Sequence, residues 1–502
     1  MTQIGTHPRG VAAVAAAHPD RLALIDGDRR VTYGELDQLA NGLAALLAEH
    51  GVGPGDAVGI MAHNRAEWFT VSHAVARLGA MWVPVSPRLT PYEADYIIDD
   101  SKMKVLVAEG SPTVGVDGVA VVDIDGPDLA RTAAEPPFPD YLNAAPAMLG
   151  YTSGTTGRPK AVERPAPVPV PVATTSPVAA FWGYGPDTVQ LVCGPFYHTA
   201  PSSYAEYALW EGGVVVVQDG FVGDRCLTLI EEHRVTRTFM VPAHFVRILE
   251  ADWKRRDRSS LRMVLHAAAM CPVPVKWRIL EVFPPGTLWE FYGATEGMGT
   301  IISPGEWLFK PGSVGRPFPG LHVKVLGDDG NETPPGEVGG IYISPMGGYR
   351  FSYRGDPEKT ANAYRDGYFT AGDLGWIDED GYLYIADRRT DLIVSGGVNI
   401  YPAEVESALV EDPDVTDAAV IGLPDERMGQ RVHAIVEMRP GAVPDEEALV
   451  ARLAERLADY KRPRTIEFVA QLPREPTGKV RKHQLREARL DRAGAPSTGG
   501  PA

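Results

Sequence analysis

Short apolar runs of strand length alternate with helical patterns along residues 1–320, and this alternation restricts the fold more than any other feature of the chain. The runs at 57–61, 81–85, 189–192 and 214–218 are almost continuously apolar. Buried strands that alternate with helices are typical of α/β proteins. The pattern therefore predicts a large α/β body whose strands are mostly buried.

The pattern changes near residue 320, where short strands separated by turns replace the longer alternation. Three such strands, at 321–326, 340–344 and 382–385, predict a small β unit attached to the α/β body. Beyond residue 390, two helical patterns and two strands follow one another within roughly 110 residues, which predicts a small α+β domain.

These changes divide the chain into three parts. Residues 1–389 are predicted to form an N-terminal domain, and residues 390–487 a C-terminal domain. Residues 488–502 are rich in glycine, serine, proline and alanine, so we expect a disordered tail.

Charge and composition exclude several classes of function. With 48 basic and 65 acidic side chains, the net charge is −17, so we do not expect a general nucleic-acid-binding protein. The three cysteines cannot form a disulfide framework. No apolar run reaches the roughly 20 residues that span a bilayer, and no secretory signal is evident because only Arg9 precedes the run at 11–17. We expect a cytoplasmic protein with no membrane span.

The strongest chemical signal is the string YTSGTTGRPK at residues 151–160, directly after a predicted strand. Its glycines let backbone N–H groups converge, its hydroxyls can donate to phosphate oxygens, and Lys160 supplies a positive charge. The string is not the P-loop NTPase motif, because Lys160 follows Pro159 and precedes Ala161. A phosphate cradle is the interpretation we favour over a merely flexible polar loop.

This string resembles the phosphate loop of the ANL adenylate-forming superfamily, which includes acyl-CoA synthetases, peptide-synthetase adenylation domains and luciferases. Five further strings resemble motifs of that family in the family's order: FYGATEG at 291–297, YFTAGD at 368–373, DRRTD at 387–391, SGGVNIYP at 395–402 and PREPTGK at 473–479. Six motifs in register identify the chain as a member of this family, in its acyl-CoA synthetase branch.

The resemblance implies an ATP-dependent acyl-CoA ligase, which converts a carboxylic acid into an acyl-adenylate and then transfers the acyl group to coenzyme A. Tyr292 is then expected to stack on adenine, Asp373 to accept both ribose hydroxyls, and Arg388 to donate to the ribose. The residues implied in ATP and AMP binding are Thr152, Ser153, Gly154, Thr155, Thr156, Gly157, Ala268, Tyr292, Gly293, Ala294, Asp373 and Arg388.

Four residues are implied in catalysis: Lys160, Thr295, Glu296 and Lys479. Glu296 offers a hard oxygen ligand to Mg²⁺, and Thr295 is expected at the α-phosphate. Lys479 would bridge the substrate carboxylate and the α-phosphate during adenylation. A surface salt bridge is the alternative for Lys479, and a capping or solvent-facing position is the alternative for Glu296.

The resemblance also implies that the C-terminal domain is a mobile lid, which rotates about a hinge at Thr390 after adenylation. Ser395, Gly396 and Gly397 would then approach the adenylate and bind the pantetheine arm of coenzyme A. Residues 460–486 carry eight basic and two acidic side chains, a net charge of +6 that suits the phosphates of coenzyme A or of a carrier protein. A solvated run of charges is the alternative.

Three residues are expected to line the acyl pocket: His198, Ala267 and Met270. The small residues at 267–269 leave room for a large acid, and the segment resembles the branch that acts on bulky, polycyclic or fatty acids. A histidine with a purely structural role is the alternative for His198.

Some features depart from the family pattern or leave alternatives open. The hinge position holds a threonine where many relatives have Asp or Lys. The proline-rich segment 165–177 fits either a surface loop or a role in gating or partner docking. A ligase that loads an acyl carrier protein is the main alternative function, and an inactive adenylate-binding module is the third. The native acid is not identified, and a homodimer is among the assemblies left open.

Overall fold

The computed structural model describes residues 8–110, 112, 115–138, 147–152, 159–163, 177–348, 350–475 and 478–494. Within these residues the chain forms 28 strands and 14 α-helices, which we number along the chain. The phosphate-loop residues Ser153, Gly154, Thr155, Thr156 and Gly157 and most of the proline-rich segment lie outside the described residues.

The largest sheet has nine strands: β1 (Leu22–Asp26), β2 (Arg29–Thr32), β10 (Val189–Val192), β11 (Val214–Val217), β12 (Arg237–Met240), β13 (Met263–His266), β14 (Leu288–Ala294), β15 (Gly297–Ile302) and β16 (Arg316–Pro317). Their order is β16-β15-β14-β13-β12-β10-β11-β1-β2. The edge pairs β1–β2, β14–β15 and β15–β16 are antiparallel, and the other pairs are parallel.

Alternate residues of this sheet pack into different hydrophobic clusters. Leu24 and Val215 belong to one cluster, and their neighbours Ile25 and Val216 belong to another. All four are buried. The sheet is therefore covered on both faces, which explains why its strands are almost continuously apolar in sequence.

A second sheet is parallel throughout, with the order β6-β5-β3-β4-β7. Its strands are β3 (Ala57–Met61), β4 (Met81–Val85), β5 (Val105–Ala108), β6 (Ala120–Asp123) and β7 (Ala147–Met148). The predicted strands 57–61 and 81–85 are reproduced without change. These two sheets, one mainly parallel and one parallel throughout, confirm the predicted α/β body.

The predicted small β unit is a six-stranded antiparallel sheet of β17 (Val323–Leu326), β18 (Gly339–Ile343), β20 (Tyr364–Arg365), β21 (Tyr368–Phe369), β22 (Asp373–Ile377) and β23 (Leu383–Arg388). A separate three-stranded sheet beside it joins β8 (Gly150–Thr152), β9 (Lys160–Glu163) and β19 (Ser352–Tyr353). The strands on either side of the phosphate loop thus pair with each other and with a strand near residue 352.

The C-terminal residues form the predicted α+β unit. It contains the hairpin β24 (Ile393–Ser395) and β25 (Val398–Ile400), and a sheet of β26 (Val415–Asp425), β27 (Gly429–Met438) and β28 (Thr465–Val469). Val410 also packs against a hydrophobic cluster of the N-terminal body, so the two parts are in contact.

The helices are α1 (Val11–Ala17), α2 (Tyr33–Glu49), α3 (Glu67–Arg77), α4 (Pro91–Ser101), α5 (Pro177–Trp182), α6 (Thr199–Trp210), α7 (Gly223–Glu232), α8 (Pro242–Glu250), α9 (Val273–Val282), α10 (Pro304–Phe309), α11 (Pro357–Asn362), α12 (Pro402–Val410), α13 (Glu446–Ala454) and α14 (Lys482–Gly494). Helix α2 begins with the capping box of Thr32 and Glu35 that its sequence predicts. Among the described residues, no helix combines the length and the apolar character that crossing a membrane requires.

The expected start of the tail needs a correction. We expected disorder from residue 488, but helix α14 continues to Gly494. Leu485 is buried in a small cluster with Leu472 and Ile421, so the first turns of this helix pack on the C-terminal sheet. This packing keeps the chain helical beyond the point where its composition becomes simple.

Candidate functional site

Thr295 and Glu296 form the two-residue turn between strands β14 and β15, because Ala294 pairs directly with Gly297. Position 293 must be a glycine, since a Cβ atom there would lie 2.8 Å from the Gly297 carbonyl oxygen. The tight hairpin therefore presents both predicted catalytic side chains at the end of the largest sheet.

The carboxylate of Asp373 is bound by two other predicted nucleotide-binding residues. The Tyr292 hydroxyl donates to its Oδ2 at 2.7 Å, and Arg388 Nε lies 3.3 Å from its Oδ1. Asp373 and Arg388 face each other on the paired strands β22 and β23. Burial, and then the Asp373 carboxylate, raise the pKa of Tyr292, so its hydroxyl stays protonated.

Glu296 is oriented by a residue that the sequence analysis did not single out. The Tyr353 hydroxyl donates to Glu296 Oε1 at 2.8 Å. Burial is the main cause that raises the pKa of Tyr353, and the Glu296 carboxylate adds to it. The other carboxylate oxygen makes no hydrogen bond to the described residues.

Lys160 begins strand β9, directly opposite Thr152 on strand β8. Its ammonium forms an ion pair with Asp356, whose other oxygen accepts a hydrogen bond from the Lys359 backbone N–H at 2.9 Å. Asp356 is thus the N-cap of helix α11 and a partner of the phosphate-loop lysine. The lysine lies at the base of the loop that the sequence assigns to phosphate.

Lys479 belongs to the C-terminal part of the chain, yet it lies among side chains of the N-terminal domain. Its ammonium interacts electrostatically with Arg388, Glu475, Asp373 and Glu296. Burial is the main cause that lowers its pKa, and Arg388 lowers it further. The structure therefore brings together four of the residues that the motifs single out separately.

The loop that carries Lys479 packs closely on the N-terminal domain. A Cβ atom on Gly478 would lie 2.9 Å from Ala243 Cβ and 3.1 Å from Val241 Cγ2, at the start of helix α8. Gly478 also has φ +78°, in the left-handed region that favours glycine. A larger residue next to the lysine would push the loop away from the site.

His198 lies at the N-cap of helix α6, next to the loop that carries Lys479. Its surroundings lower its pKa to about 4, first through burial and then through the positive charge of Lys479, while Glu475 acts in the opposite direction. His198 is therefore neutral at neutral pH. A neutral imidazole can border an apolar ligand at little cost in desolvation.

The segment after strand β13 holds the other predicted pocket residues. Ala267 is buried, whereas Met270 is exposed. Ala268 has φ +75°, a left-handed conformation that is strained for a residue with a Cβ atom. Strain of this kind concentrates at ligand-binding sites, so the position of Ala268 supports its predicted contact with the nucleotide.

A buried cluster of charged and polar side chains lies next to this segment. His266 Nε2 lies 3.5 Å from Glu290 Oε2, and the same oxygen forms an ion pair with Lys276. Burial, and then Lys276, lower the pKa of His266 well below its usual range. The cluster joins strands β13 and β14, which precede the two predicted nucleotide-binding segments.

The predicted coenzyme A segment lies at the hairpin of β24 and β25. Ser395 pairs with Val398, and Gly396 N–H donates to the Met428 carbonyl at 2.8 Å. Among the described residues, no hydrogen bond or ion pair joins this segment to Glu296 or Asp373. The structure therefore brings the lysine loop, and not the glycine hairpin, to the candidate site.

Thr390 is exposed in the turn that links strand β23 to strand β24. The turn is closed by a hydrogen bond from Asp391 N–H to the Arg388 carbonyl. The predicted hinge thus lies between the small β unit and the first hairpin of the C-terminal part.

The basic stretch 460–486 is largely neutralised by acidic partners. Six of its basic side chains form ion pairs: Lys461 with Glu404, Arg462 and Arg464 with Asp459, Arg474 with Asp417, Arg481 with Glu475, and Lys482 with Glu406. The structure therefore favours a mainly structural role for this stretch over an open basic face for phosphates.

A cavity of about 690 Å³ lies next to the candidate site and is open to solvent. Tyr353 and Asp356 line it, together with Arg350, Thr360 and Tyr364. Its lining includes none of the residues that the motifs assign to the nucleotide, so we do not equate it with the nucleotide pocket.

Sequence reasoning missed Tyr353, Asp356 and Lys359, which all contact predicted catalytic residues or lie next to them. The string DPEKT at 356–360 carries a detectable signal, because an Asp before a proline is typical of a helix N-cap. Nothing in the sequence indicates that this cap faces Lys160, since the contact spans 196 residues of chain.

Known families and proteins resemble this chain over most of its length. Residues 11–349 match the model of the AMP-binding enzyme family, and residues 404–479 match the AMP-binding enzyme C-terminal domain. An indoleacetate–CoA ligase of Aromatoleum aromaticum is 32% identical, over 94% of this chain and 96% of its own length. A fatty acid–[acyl-carrier-protein] ligase of Streptomyces coeruleorubidus is 31% identical, over 94% of each chain.

Among solved structures, the o-succinylbenzoate CoA synthetase of Bacillus subtilis superposes with a TM-score of 0.81 and 31% identity, over 95% of this chain and 98% of that one. That structure contains an acyl-adenylate intermediate.

Proposed function

The chain belongs to the AMP-binding enzyme family, and from this premise we propose that it is an AMP-forming acyl-CoA ligase. The proposed reaction activates a carboxylic acid as an acyl-adenylate, releases pyrophosphate, and then transfers the acyl group to the thiol of coenzyme A. One observation carries the proposal: the Lys479 ammonium of the C-terminal part is close enough to Asp373, Arg388 and Glu296 to interact with them electrostatically.

In the first half-reaction, a carboxylate oxygen attacks the α-phosphorus of ATP. The new O–P bond forms while the bond to the bridging oxygen of the β-phosphate breaks, and pyrophosphate leaves with the electron pair. Negative charge accumulates at the α-phosphate and must be stabilised by fixed positive groups. Lys479 can donate to the attacking carboxylate and to the α-phosphate together, and Thr295 can donate a hydroxyl at the same centre.

The residues present fit a magnesium ion. Glu296 has one oxygen held by Tyr353 and a second oxygen that makes no hydrogen bond to the described residues. Mg²⁺ is usually held by one or two carboxylates and by substrate phosphates rather than by a cage of protein ligands. Consistent with this, the described residues hold no cluster of three or more metal-binding side chains. When bound, the ion would neutralise phosphate charge.

Asp373 retains the capacity to bind the ribose. A carboxylate has about four lone-pair sites, and Tyr292 and Arg388 occupy one on each oxygen. Two further hydrogen bonds from ribose hydroxyls are therefore compatible with the arrangement. The two protein contacts fix the carboxylate before the nucleotide arrives, which reduces the entropy lost on binding.

In the second half-reaction, we propose that the C-terminal part rotates about the turn at Thr390. The rotation removes Lys479 from the site and brings Ser395, Gly396 and Gly397 to the adenylate. The thiol of coenzyme A then loses its proton to solvent and attacks the acyl carbonyl. The new C–S bond forms while the C–O bond to the phosphate breaks, and AMP leaves with the electron pair.

We propose a bulky aromatic or polycyclic acid as the substrate. Tyr204, Phe239 and Phe291 form an aromatic cluster between helix α6 and strands β12 and β14, with ring centroids 5.5–6.2 Å apart. The neutral His198 begins the same helix. The indoleacetate and o-succinylbenzoate relatives also act on aromatic acids, as their names state. A flat acid that binds beside this cluster would gain offset and edge-on ring contacts in addition to apolar burial.

A cytoplasmic location is part of the proposal. The cysteines Cys193, Cys226 and Cys271 are all buried free thiols, which fits a reducing compartment. The proposed assembly is a homodimer. Light scattering of the purified protein measures its mass and so tests this state.

Pyrophosphate release tests the function. The protein is incubated with ATP, Mg²⁺ and single acids from a panel of aromatic, polycyclic, fatty and short acids, with coenzyme A, with a phosphopantetheinylated carrier protein, or without an acceptor. We expect release with aromatic or polycyclic acids and a CoA thioester as product. Acylation of the carrier protein alone would favour the carrier-loading alternative. Turnover of acetate alone would contradict the proposed acid, and no release with any acid would contradict the ligase.

A further inference from the structure

Two lysines from distant parts of the chain share one carboxylate beside the candidate site. Lys160 pairs with Asp356 through its ammonium. Lys359, three residues further on, places its ammonium 4.4 Å from the centre of the Tyr353 ring. Lys359 is only partly exposed, and its ammonium is close enough to Lys160 and to Asp356 to interact with both.

Lys359 is linked to Glu296 through the Tyr353 side chain. Tyr353 receives the Lys359 ammonium on its ring face and donates its hydroxyl to Glu296 Oε1 at 2.8 Å. Lys359 also interacts electrostatically with the Glu296 carboxylate. Both lysines therefore lie beside the proposed magnesium ligand, at the base of the phosphate loop.

The arrangement of charge calls for an additional anion. The two ammonium groups are close enough to repel each other. Asp356 pairs with Lys160, and Glu296, the other carboxylate that acts on Lys359, is the proposed magnesium ligand. Burial, and then Lys160, lower the pKa of Lys359, while Asp356 and Glu296 act in the opposite direction. An anion with several charges placed between the two ammonium groups would stabilise both.

We propose that Lys359 is a second phosphate-binding lysine, which together with Lys160 holds the outer phosphates of ATP and the pyrophosphate that leaves. This inference rests on the proposed adenylation and assigns its leaving group to a specific pair of side chains. Asp356 is a positioning residue in this arrangement, because it holds Lys160 and caps the helix that carries Lys359.

Binding measurements separate a phosphate contact from a structural role. The affinities of ATP, AMP and inorganic pyrophosphate are measured by calorimetry for the wild type and for Lys359→Met, which keeps an apolar chain against the Tyr353 ring. We expect Lys359→Met to weaken ATP and pyrophosphate binding about tenfold, and AMP binding less than about twofold. Lys359→Arg should restore most of the loss, because it keeps the positive charge.

Glu358→Ala is the matched control, since this exposed side chain lies on the same helix. It should leave all three affinities within about twofold of the wild type. Equal losses for AMP and ATP in Lys359→Met, or no loss for pyrophosphate, would overturn the proposal. These measurements need no acid substrate, so they remain decisive even if the acid panel yields no adenylate.

Discussion

Asp373 and Tyr292 are 81 residues apart in the chain, yet a hydrogen bond of 2.7 Å joins them. Each residue belongs to a recognisable motif, and each motif alone indicates contact with a nucleotide. The structure adds that the two side chains bind each other before any ligand is present. At the residue scale, the site is therefore partly preorganised by its own hydrogen bonds.

Lys479→Ala should abolish adenylation far more than it affects thioester formation from a supplied acyl-adenylate. The lysine is needed when charge develops at the α-phosphate, and loss of a fixed donor there costs about 10²–10³ in rate. Pyrophosphate release and thioester formation are measured separately. Lys102→Ala removes an exposed ammonium elsewhere and should change neither rate. Equal losses in both half-reactions would contradict the assigned role.

Glu296→Gln should raise the Mg²⁺ concentration needed for half-maximal adenylation by about tenfold. The amide keeps an oxygen that can accept from Tyr353 but loses the negative charge that attracts the cation. The rate of pyrophosphate release is measured across a magnesium titration. Tyr353→Phe, which leaves the carboxylate in place, should produce a smaller shift. An unchanged magnesium dependence in Glu296→Gln would show that the carboxylate is not a ligand.

Ala268→Gly should raise the Tm by about 1–2 °C, because it relieves the left-handed strain at φ +75°. Ala269→Gly, one residue further on, should lower the Tm, since that position has no positive φ to relieve. Thermal unfolding of both variants is followed by circular dichroism. A lower Tm for Ala268→Gly would mean that the methyl group contributes more through packing than it costs in strain.

At the scale of elements, hairpins position the chemistry. Strand β14 continues through the aromatic-glycine motif to Ala294 and turns back into strand β15. Gly293 is required for the close approach of the two strands. This hairpin is what places Thr295 and Glu296 at the sheet end.

Gly397→Ala should slow thioester formation about tenfold and leave pyrophosphate release within about twofold of the wild type. Gly397 has φ +80°, so an alanine costs about 1–2 kcal/mol and distorts the hairpin of β24 and β25. Gly441→Ala is the matched control: its φ is +89°, it is exposed, and a Cβ atom at either glycine meets open space. If both variants slow thioester formation equally, the hairpin of β24 and β25 does not have the proposed role in that step.

At the scale of the whole molecule, the contact between the N-terminal body and the C-terminal part determines which half-reaction the structure suits. The Lys479 loop packs on helix α8, and Val410 packs on a cluster of the body. The glycine hairpin meanwhile contacts its own domain through Met428. The structure therefore corresponds to the arrangement that we propose for adenylation.

His198 should report this contact through its pKa, which is about 4. Burial is the main cause, and Lys479 of the C-terminal part is the next. Lys479→Met should therefore move the pKa of His198 up toward the ordinary histidine value of 6.5, and so should any ligand that draws the lysine away. NMR titration of the histidine signal measures the shift. No change in Lys479→Met would show that the two residues are not in contact in solution.

The same histidine predicts a pH dependence of stability. Its pKa is about 6.5 in the unfolded chain and about 4 in the folded one, so the unfolded state binds more protons between these values. The contribution of His198 to the free energy of unfolding is fully present above pH 6.5 and is lost as the pH falls toward 4. Tm measured against pH should therefore fall less steeply in His198→Gln than in the wild type. If Tm falls equally steeply with pH in both proteins, the pKa of His198 is not lowered in the folded state.

The sequence by itself determined the family, the α/β body, the α+β C-terminal unit and the identity of most candidate residues. These properties are local: buried strands show as apolar runs, and nucleotide chemistry requires particular residue types at fixed spacings within short motifs. For the same reason, the boundaries of the strands at 57–61 and 81–85 could be predicted without error.

Only the tertiary structure decided which side chains meet. The ion pair of Lys160 with Asp356, the hydrogen bond of Tyr353 to Glu296, and the ion pair of Lys482 with Glu406 all join residues that are far apart in the chain. Such contacts depend on the pairing of strands from different parts of the sequence and on how the two domains pack. The spacing of residues within one motif does not predict these contacts, because the distance between two motifs is determined by the folded structure and not by the local sequence.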